Sequence, residues 1–276
     1  MTRIEWTDAT WNPTVGCSIV SPGCTNCYAM KMAHRIAGTF PHYAGLTMRT
    51  KAGAVWTGKV AEARADVLLK PLRWKSPRRI FVNSMSDLFH EDLPDAAIDK
   101  VFAVMALCPQ HTFQVLTKRA ERMRKYFADA DRFWKVTHHL DVTGLVWPLP
   151  NVWLGVSAER QIEAEERIPH LAMTPAAKRF ISAEPLLGPV HLAGADLHCL
   201  DWVIAGGESG PRARPAHPDW IRGLRDQCAR AGVPFFFKQW GEWVFNEACE
   251  PEPFERLGKK AAGAMLDGRE HREWPA

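Results

Sequence analysis

The sequence predicts an α/β chain, a parallel (β/α)6–7 partial barrel, and three observations lead there. Short, almost continuous apolar runs recur along the chain, amphipathic helical patterns separate them, and polar residues collect just after the runs. A strand buried on both faces reads as such a run. Strands alternating with helices imply crossover units and a parallel sheet. With 276 residues and 46% hydrophobic content, the chain is long enough for one such domain, which commonly takes roughly 250 residues.

The expected strands are one near Thr14–Cys17, then Ile80–Asn83, Phe113–Thr117, Val152–Val156, Arg179–Ser182, Trp202–Ala205 and Pro234–Phe237. Between them, Ala29, Met32, Ala33 and Ile36 have the i, i+3, i+4, i+7 spacing of a helix, with Gly38 as its stop. Ile98, Val101, Phe102 and Met105 repeat the spacing after Pro94, and Met123, Tyr126 and Phe127 mark a shorter helix. The stretch 160–172 is helical but cut by Pro169, and Ile221, Leu224 and Cys228 mark a helix after Pro218. Residues 1–240 are read as the barrel domain, with 39–79 an insertion after the first helix that covers the site. Residues 241–276 form a short C-terminal extension in which Asp267-Gly268 signals a tight turn.

Charged residues make up 24% and the net charge is +4, with a pI of about 8.7, a mild lean toward anionic partners. No long apolar run follows the N-terminus, so the expectation is a cytoplasmic protein with neither signal peptide nor membrane span. Seven cysteines in such a chain favour metal binding or burial over disulfides. Twelve tryptophans is a high number; many must lie in the core, and an excess would suit a site that stacks planar groups.

The polar residues follow the strands in turn: Asn83, Ser84, Ser86 and Asp87; Thr117, Lys118 and Arg119; Ser157 and Glu159; Ser182 and Glu184; Gly206, Gly207, Glu208 and Ser209; Lys238 and Gln239. Ligands of parallel α/β folds bind at the carboxyl ends of the strands, so these groups are expected on one rim, although helix capping accounts for some of them equally well. Asp87, His90, Glu91 and Asp92 carry metal-ligating groups, but surface acids at a helix start read the same way.

Cys17, Cys24 and Cys27 lie within eleven residues, spaced C-x6-C-x2-C, in a loop that leads from a strand into a helix. Pro22-Gly23 can turn the first thiol back toward the other two. Thiolates near a helix N-terminus suit soft metals. A structural zinc wants four protein ligands, and an electron-transfer [4Fe–4S] cluster usually has four cysteines. Three leave one metal position open. Zinc with His34 or an acid as fourth ligand, and simple burial of the thiols, are the competing readings. Cys108, Cys199, Cys228 and Cys249 are scattered and read as core.

This loop resembles the cluster loop of the radical S-adenosylmethionine superfamily, whose usual motif is C-x3-C-x2-C. Here the first gap is six, Asn26 precedes Cys27, and Tyr28 follows it. The whole chain is similar to a phage-associated bacterial family with a three-cysteine motif. That likeness is carried by Glu5-Trp6-Thr7, Trp11-Asn12-Pro13, Asn83-Ser84-Met85-Ser86-Asp87, Gly206-Gly207-Glu208-Ser209 and Lys238-Gln239-Trp240-Gly241.

The resemblance implies a TIM-like partial barrel holding a [4Fe–4S] cluster on the three cysteines. It implies S-adenosyl-L-methionine as cofactor, cleaved reductively to a 5′-deoxyadenosyl radical that abstracts hydrogen from a substrate, and a reductant such as flavodoxin or ferredoxin. It places the cofactor's amino group near Ser84, Ser86 and Asp87 and its ribose near Ser157, Glu159, Ser182 and Glu184. Gly206, Gly207 and Glu208 resemble the superfamily's methionine-binding motif but follow a late strand; there the glycines would admit adenine or substrate close to the backbone.

Two basic runs bear on the substrate. Lys70, Arg73, Lys75, Arg78 and Arg79 surround Trp74, and Lys118, Arg119, Arg122, Arg124 and Lys125 form the second. Basic groups beside aromatics suit nucleic acid or a nucleotide, and solvated helix faces read similarly. Arg212, Arg214, Lys238 and Gln239 are further candidates for substrate contact. A metal-stapled nucleic-acid-binding module without catalysis and a cluster-bearing redox sensor are the alternative functions.

Overall fold

The computed structural model describes residues 4–51, 53–141, 143–192, 194–249 and 253–276. The chain is mixed α/β and divides into two compact units. The first comprises Met1–Val20, Cys27–Gly155 and Met173–Lys178, and the second Ser21–Asn26, Val156–Ala172 and Arg179–Ala276.

In the first unit β1 (Ala9–Trp11) and β2 (Thr14–Val15) precede α1 (Tyr28–Ile36). β3 (Thr47–Thr50) and β4 (Gly53–Trp56) form an antiparallel hairpin, and β5 (Ala61–Glu62) pairs with β2. Then come α2 (Ala65–Leu68), β6 (Arg79–Val82), α3 (Asp95–Ala106), β7 (Thr112–Thr117), α4 (Ala120–Phe127) and α5 (Arg132–Thr137). β8 (Val152–Ser157) follows and passes its last two residues to the second unit. β1, β6 and β7 are parallel, with Ala9 opposite Ile80 and Ile80 opposite Phe113. The four positions that marked the helix after Pro94, namely Ile98, Val101, Phe102 and Met105, are all buried on α3, as one apolar face of a 3.6-residue repeat should be. The insertion is a folded layer on α1: Tyr43, Leu46 and Trp56 pack with Met30 and Ala33.

In the second unit α6 (Gln161–Ala172), β9 (Lys178–Ala183), α7 (Gly194–His198), β10 (Trp202–Ala205), α8 (Pro218–Ala231) and β11 (Phe235–Phe237) alternate. β9, β10 and β11 are parallel, and every residue of β10 is fully buried. Two hairpins follow, β12 (Trp243–Phe245) with β13 (Phe254–Arg256) and, after α9 (Lys259–Ala262), β14 (Met265–Leu266) with β15 (Arg269–Glu270). Asp267 and Gly268 connect the last pair with φ of 51° and 81°, the positive values a two-residue hairpin turn requires. The C-terminal extension is tied to the sheet of its own unit. The Trp202 indole donates to the Glu273 carbonyl at 2.9 Å, and the Phe237 amide donates to the His271 carbonyl at 2.9 Å.

Within the first unit the parallel strands lie in the order β1-β6-β7, and within the second in the order β9-β10-β11. Among the described residues no helix is long and apolar enough to cross a membrane.

Three expectations change. The first strand of the parallel sheet is Ala9–Trp11, not a segment near Thr14–Cys17; Thr14–Val15 pairs antiparallel with Ala61–Glu62 instead. Pro13, which has no amide to donate, separates the two strands, and Gly16 at φ 90° ends the second. Pro169 does not cut its helix, because α6 runs through it. Pro169 and Glu165 are both exposed, so the carbonyl left without an amide is open to solvent. α5 was not expected; it carries the fully buried Val136.

Candidate functional site

Cys17 follows β2, and its thiol donates to the Ser18 carbonyl at 3.4 Å. Nη1 of Arg119 lies 3.8 Å from the same sulfur. Cys27 is the residue preceding α1, and its side chain makes no capping bond. Cys17 and Cys27 both pack on the cluster of Val15, Ala29, Met30 and Met85. Cys24 ends a 3-10 turn (Pro22–Cys24), is buried, and has Ser21 Oγ at 3.9 Å. His34, a fourth-ligand candidate for zinc, is exposed and bonded to Thr47 at 3.2 Å. No cysteine of the chain forms a disulfide. Burial pushes the Cys108 thiol up to about 11 and the Cys228 thiol up to about 12, in keeping with core roles. Among the described residues no group of three or more His, Cys, Asp and Glu side chains is placed to hold a metal ion.

In the first unit the residues after β6 turn inward and clamp the segment that carries Cys17. Asn83 Nδ2 donates to Thr14 Oγ1 at 2.8 Å, and Ser86 Oγ donates to the Thr14 carbonyl at 2.9 Å. Asn12 Oδ1 accepts from the Met85 amide at 3.0 Å and from Ser84 Oγ at 3.2 Å. The Tyr28 hydroxyl donates to the Ser84 carbonyl at 2.9 Å. Gly16 completes the clamp, since a Cβ there would meet the Lys59 carbonyl oxygen at 2.1 Å. The motifs Trp11-Asn12-Pro13 and Asn83–Asp87 are thus two halves of one hydrogen-bonded seam.

Asp87 is not a surface acid. It is buried, accepts from Thr117 Oγ1 at 2.7 Å and from the Lys118 amide at 3.0 Å, and pairs with Arg119 Nη1 at 3.1 Å. Arg119 also binds both Glu91 oxygens through Nε at 2.8 Å and Ser18 Oγ through Nη2 at 2.6 Å. Its fork therefore spans the end of β7, the loop after β6 and the residue next to Cys17. His90 Nδ1 accepts from the Asp92 amide at 3.2 Å, so the proton resides on Nε2, 3.0 Å from Ser18 Oγ. Burial, with Arg119 nearby, holds His90 below its ordinary pKa.

In the second unit two buried carboxylates hold the segment that carries Cys24. Glu159 is 0% exposed; it accepts from Ser21 Oγ at 2.8 Å and pairs with Arg167 at 2.8 Å. Its carboxylate lies against Gly23, where a Cβ would come within 2.2 Å of Oε1. Glu208 accepts from Asn26 Nδ2 at 3.0 Å and takes a two-pronged bond from Arg214 at 2.8 and 2.6 Å. Burial works to raise the Glu208 pKa, but the bonds from Arg214 and Asn26 outweigh it and lower the value. Arg214 also donates to the Pro22 carbonyl at 3.0 Å, and the Arg212 carbonyl accepts from Asn26 at 2.7 Å.

Gly207, after β10, and Gly241, after β11, each lie against the protein's own backbone, whereas Gly206 lies against the Glu184 side chain. A Cβ on Gly207 would stand 1.8 Å from the Trp240 carbonyl oxygen, and one on Gly241 would stand 2.0 Å from that of Glu208. At the end of β9, Ser182 Oγ donates to Glu184 at 3.1 Å, and Glu184 pairs with Lys238 at 2.9 Å. Ser157 is buried, and its carbonyl accepts from Arg167. Gln239 donates to the Gly207 carbonyl at 2.9 Å, and its own buried Oε1 has no partner among the described residues.

The second basic run is largely neutralised. Arg119 is buried among carboxylates, Arg122 pairs with Asp95, and Lys125 pairs with Glu121 at 2.8 Å. Sequence reasoning missed Asn12, Ser18, Ser21 and Asn26, whose partners lie on distant segments, and Arg167, whose partner Glu159 is eight residues back. The one legible signal was the crowding of Ser, Asn, Pro and Gly around the cysteines.

No curated protein and no solved structure gives a match. A family model described as "Protein of unknown function (DUF5131)" matches residues 1–275. The chain therefore belongs to the DUF5131 family.

Proposed function

We propose that this protein is an iron–sulfur enzyme of the radical S-adenosylmethionine type. The observation that carries the reading is the loop of three cysteines in eleven residues, Cys17, Cys24 and Cys27, on the segment that leads into α1. The fit lies in the chemistry of the donors: three soft sulfurs in sequence spacing suited to a cluster, with one metal position left to an outside ligand. Cys27 stands immediately before a nine-residue helix, and Cys17 faces a guanidinium held by Asp87 and Glu91. When bound, a [4Fe–4S] cluster supplies the electron that cleaves S-adenosylmethionine reductively to methionine and a 5′-deoxyadenosyl radical.

The chain's own residues do the positioning. Asn83–Asp87 and Arg119 fix the backbone that carries Cys17, and Glu159 and Glu208 fix the turn that carries Cys24. We assign Ser182 and Glu184, at the carboxyl end of β9, to the cofactor's ribose, and we read the parallel sheet as the wall of an open, TIM-like barrel. The test is anaerobic reconstitution followed by dithionite and S-adenosylmethionine, with 5′-deoxyadenosine quantified by chromatography. The reading expects its release, abolished in Cys17→Ala. A protein that holds zinc without sulfide and releases none would be a metal-stapled binding module instead.

A further inference from the structure

The positive charge of this chain is concentrated in one stretch. Residues 27–86 hold eleven Lys and Arg against only Glu62 and Asp66, a net +9, while the remaining residues hold 24 Lys and Arg against 29 Asp and Glu, a net −5. The stretch lies wholly in the first unit. Both of its acids are already engaged, Glu62 by Lys100 at 2.9 Å and Asp66 by Arg64 at 3.0 Å, and Arg79 is taken by Asp8 at 3.1 Å.

Four of the remaining cations, Lys70, Arg73, Lys75 and Arg78, have no carboxylate within ion-pair distance among the described residues, and they flank Trp74 within nine positions. The indole orders two of them: Lys70 Nζ lies 5.6 Å and the Arg78 guanidinium 5.4 Å from the ring centroid. A cation–π contact orders a long side chain without cancelling its charge, whereas an ion pair cancels it. The neighbouring stretch 118–125 shows the contrast, because there Arg119, Arg122 and Lys125 all meet carboxylates. Pro71 and Pro77 stiffen the segment.

We propose that the face formed by Lys70, Arg73, Lys75 and Arg78 around Trp74 binds the phosphodiester backbone of a nucleic acid. Un-neutralised cations, two of them ordered, on a proline-stiffened segment are what a chain of evenly spaced phosphates rewards, through released counterions. The exposed Leu69 and Leu72 beside them are two isolated side chains, too little apolar surface to seat the segment in a bilayer. This inference does not depend on the cluster.

The test uses the full-length protein and fluorescein-labelled 25-mers, single-stranded and duplex, followed by anisotropy across a salt series. The variant Lys70→Gln/Arg73→Gln/Lys75→Gln changes three exposed residues. It should weaken duplex binding by roughly 100-fold at 0.1 M salt, and reduce the slope of log affinity against log salt by about 2.7 for duplex and about 2 for single strand. Arg122→Gln/Lys125→Gln, which removes two charges from the paired run, should leave both quantities unchanged. Circular dichroism checks the fold, and Lys75→Glu alone replaces the triple variant should that one misfold. The proposal is overturned by equal losses in both variants, by an unchanged salt slope in the triple variant, or by wild-type protein that binds phosphatidylserine vesicles and neither oligonucleotide.

Discussion

Removing the carboxylate of Glu159 should loosen the cysteine loop and destabilise the protein together. The side chain is 0% exposed, its partner Arg167 only 3%, and the two are 2.8 Å apart. Ser21 Oγ, at the start of the Cys24 turn, donates to the other carboxylate oxygen at 2.8 Å. Glu159→Ala leaves a buried guanidinium without its counter-charge, a loss of about 3–5 kcal/mol, against a whole-domain stability of about 5–15 kcal/mol. Glu159→Gln keeps an acceptor for Ser21 but not the charge for Arg167, and should cost about 1.5–3 kcal/mol. Guanidinium chloride unfolding followed by tryptophan fluorescence measures both. Peptide-resolved iodoacetamide labelling reports the loop: Cys24, buried in the wild type, should label faster in Glu159→Ala, while Cys108 stays protected. A loss below about 1 kcal/mol, with unchanged Cys24 labelling, would refute the assignment of Glu159 as the loop's anchor.

Other outcomes follow from the same geometry. Gly207→Ala places a Cβ 1.8 Å from the Trp240 carbonyl oxygen and should cost about 1–3 kcal/mol, seen as a lowered Tm; a Tm equal to wild type would mean the 239–241 backbone is free to shift. Cys108 and Cys228, pushed by burial to about 11 and about 12, should resist alkylation at pH 8 in folded protein, and rapid labelling of either would place it outside the core. Glu208 stays ionised to lower pH in the folded chain than in the unfolded one, because Arg214 and Asn26 outweigh its burial. Its contribution is therefore complete above an unfolded value of about 4.3 and lost as pH falls through the lower folded value. Stability curves of wild type and Glu208→Gln should diverge at neutral pH and converge in acid; a gap independent of pH would exclude charge as its source.

The parallel strands were legible because they are buried on both faces: Trp202–Ala205 and Phe235–Phe237 read as unbroken apolar runs and are all but fully buried. β1 was not, since three residues, Ala-Thr-Trp, carry no run, and Pro13 lies between them and the stronger-looking Thr14-Val15. The polar clusters after the strands were visible, but their orientation was not. Asp87 and Glu159 look like ordinary loop acids until Arg119 and Arg167 are brought to them, from 32 and 8 residues away. Likewise the glycines at 207 and 241 announce a close approach without saying that each one's partner is the other's neighbouring backbone.

The most direct test is the iron and acid-labile sulfide content of anaerobically reconstituted protein beside Cys17→Ala, Cys24→Ala and Cys27→Ala. About four irons and four sulfides per chain in the wild type, with a marked loss in each variant, is the predicted result. Iron content that does not change when any one of the three cysteines is replaced would contradict it.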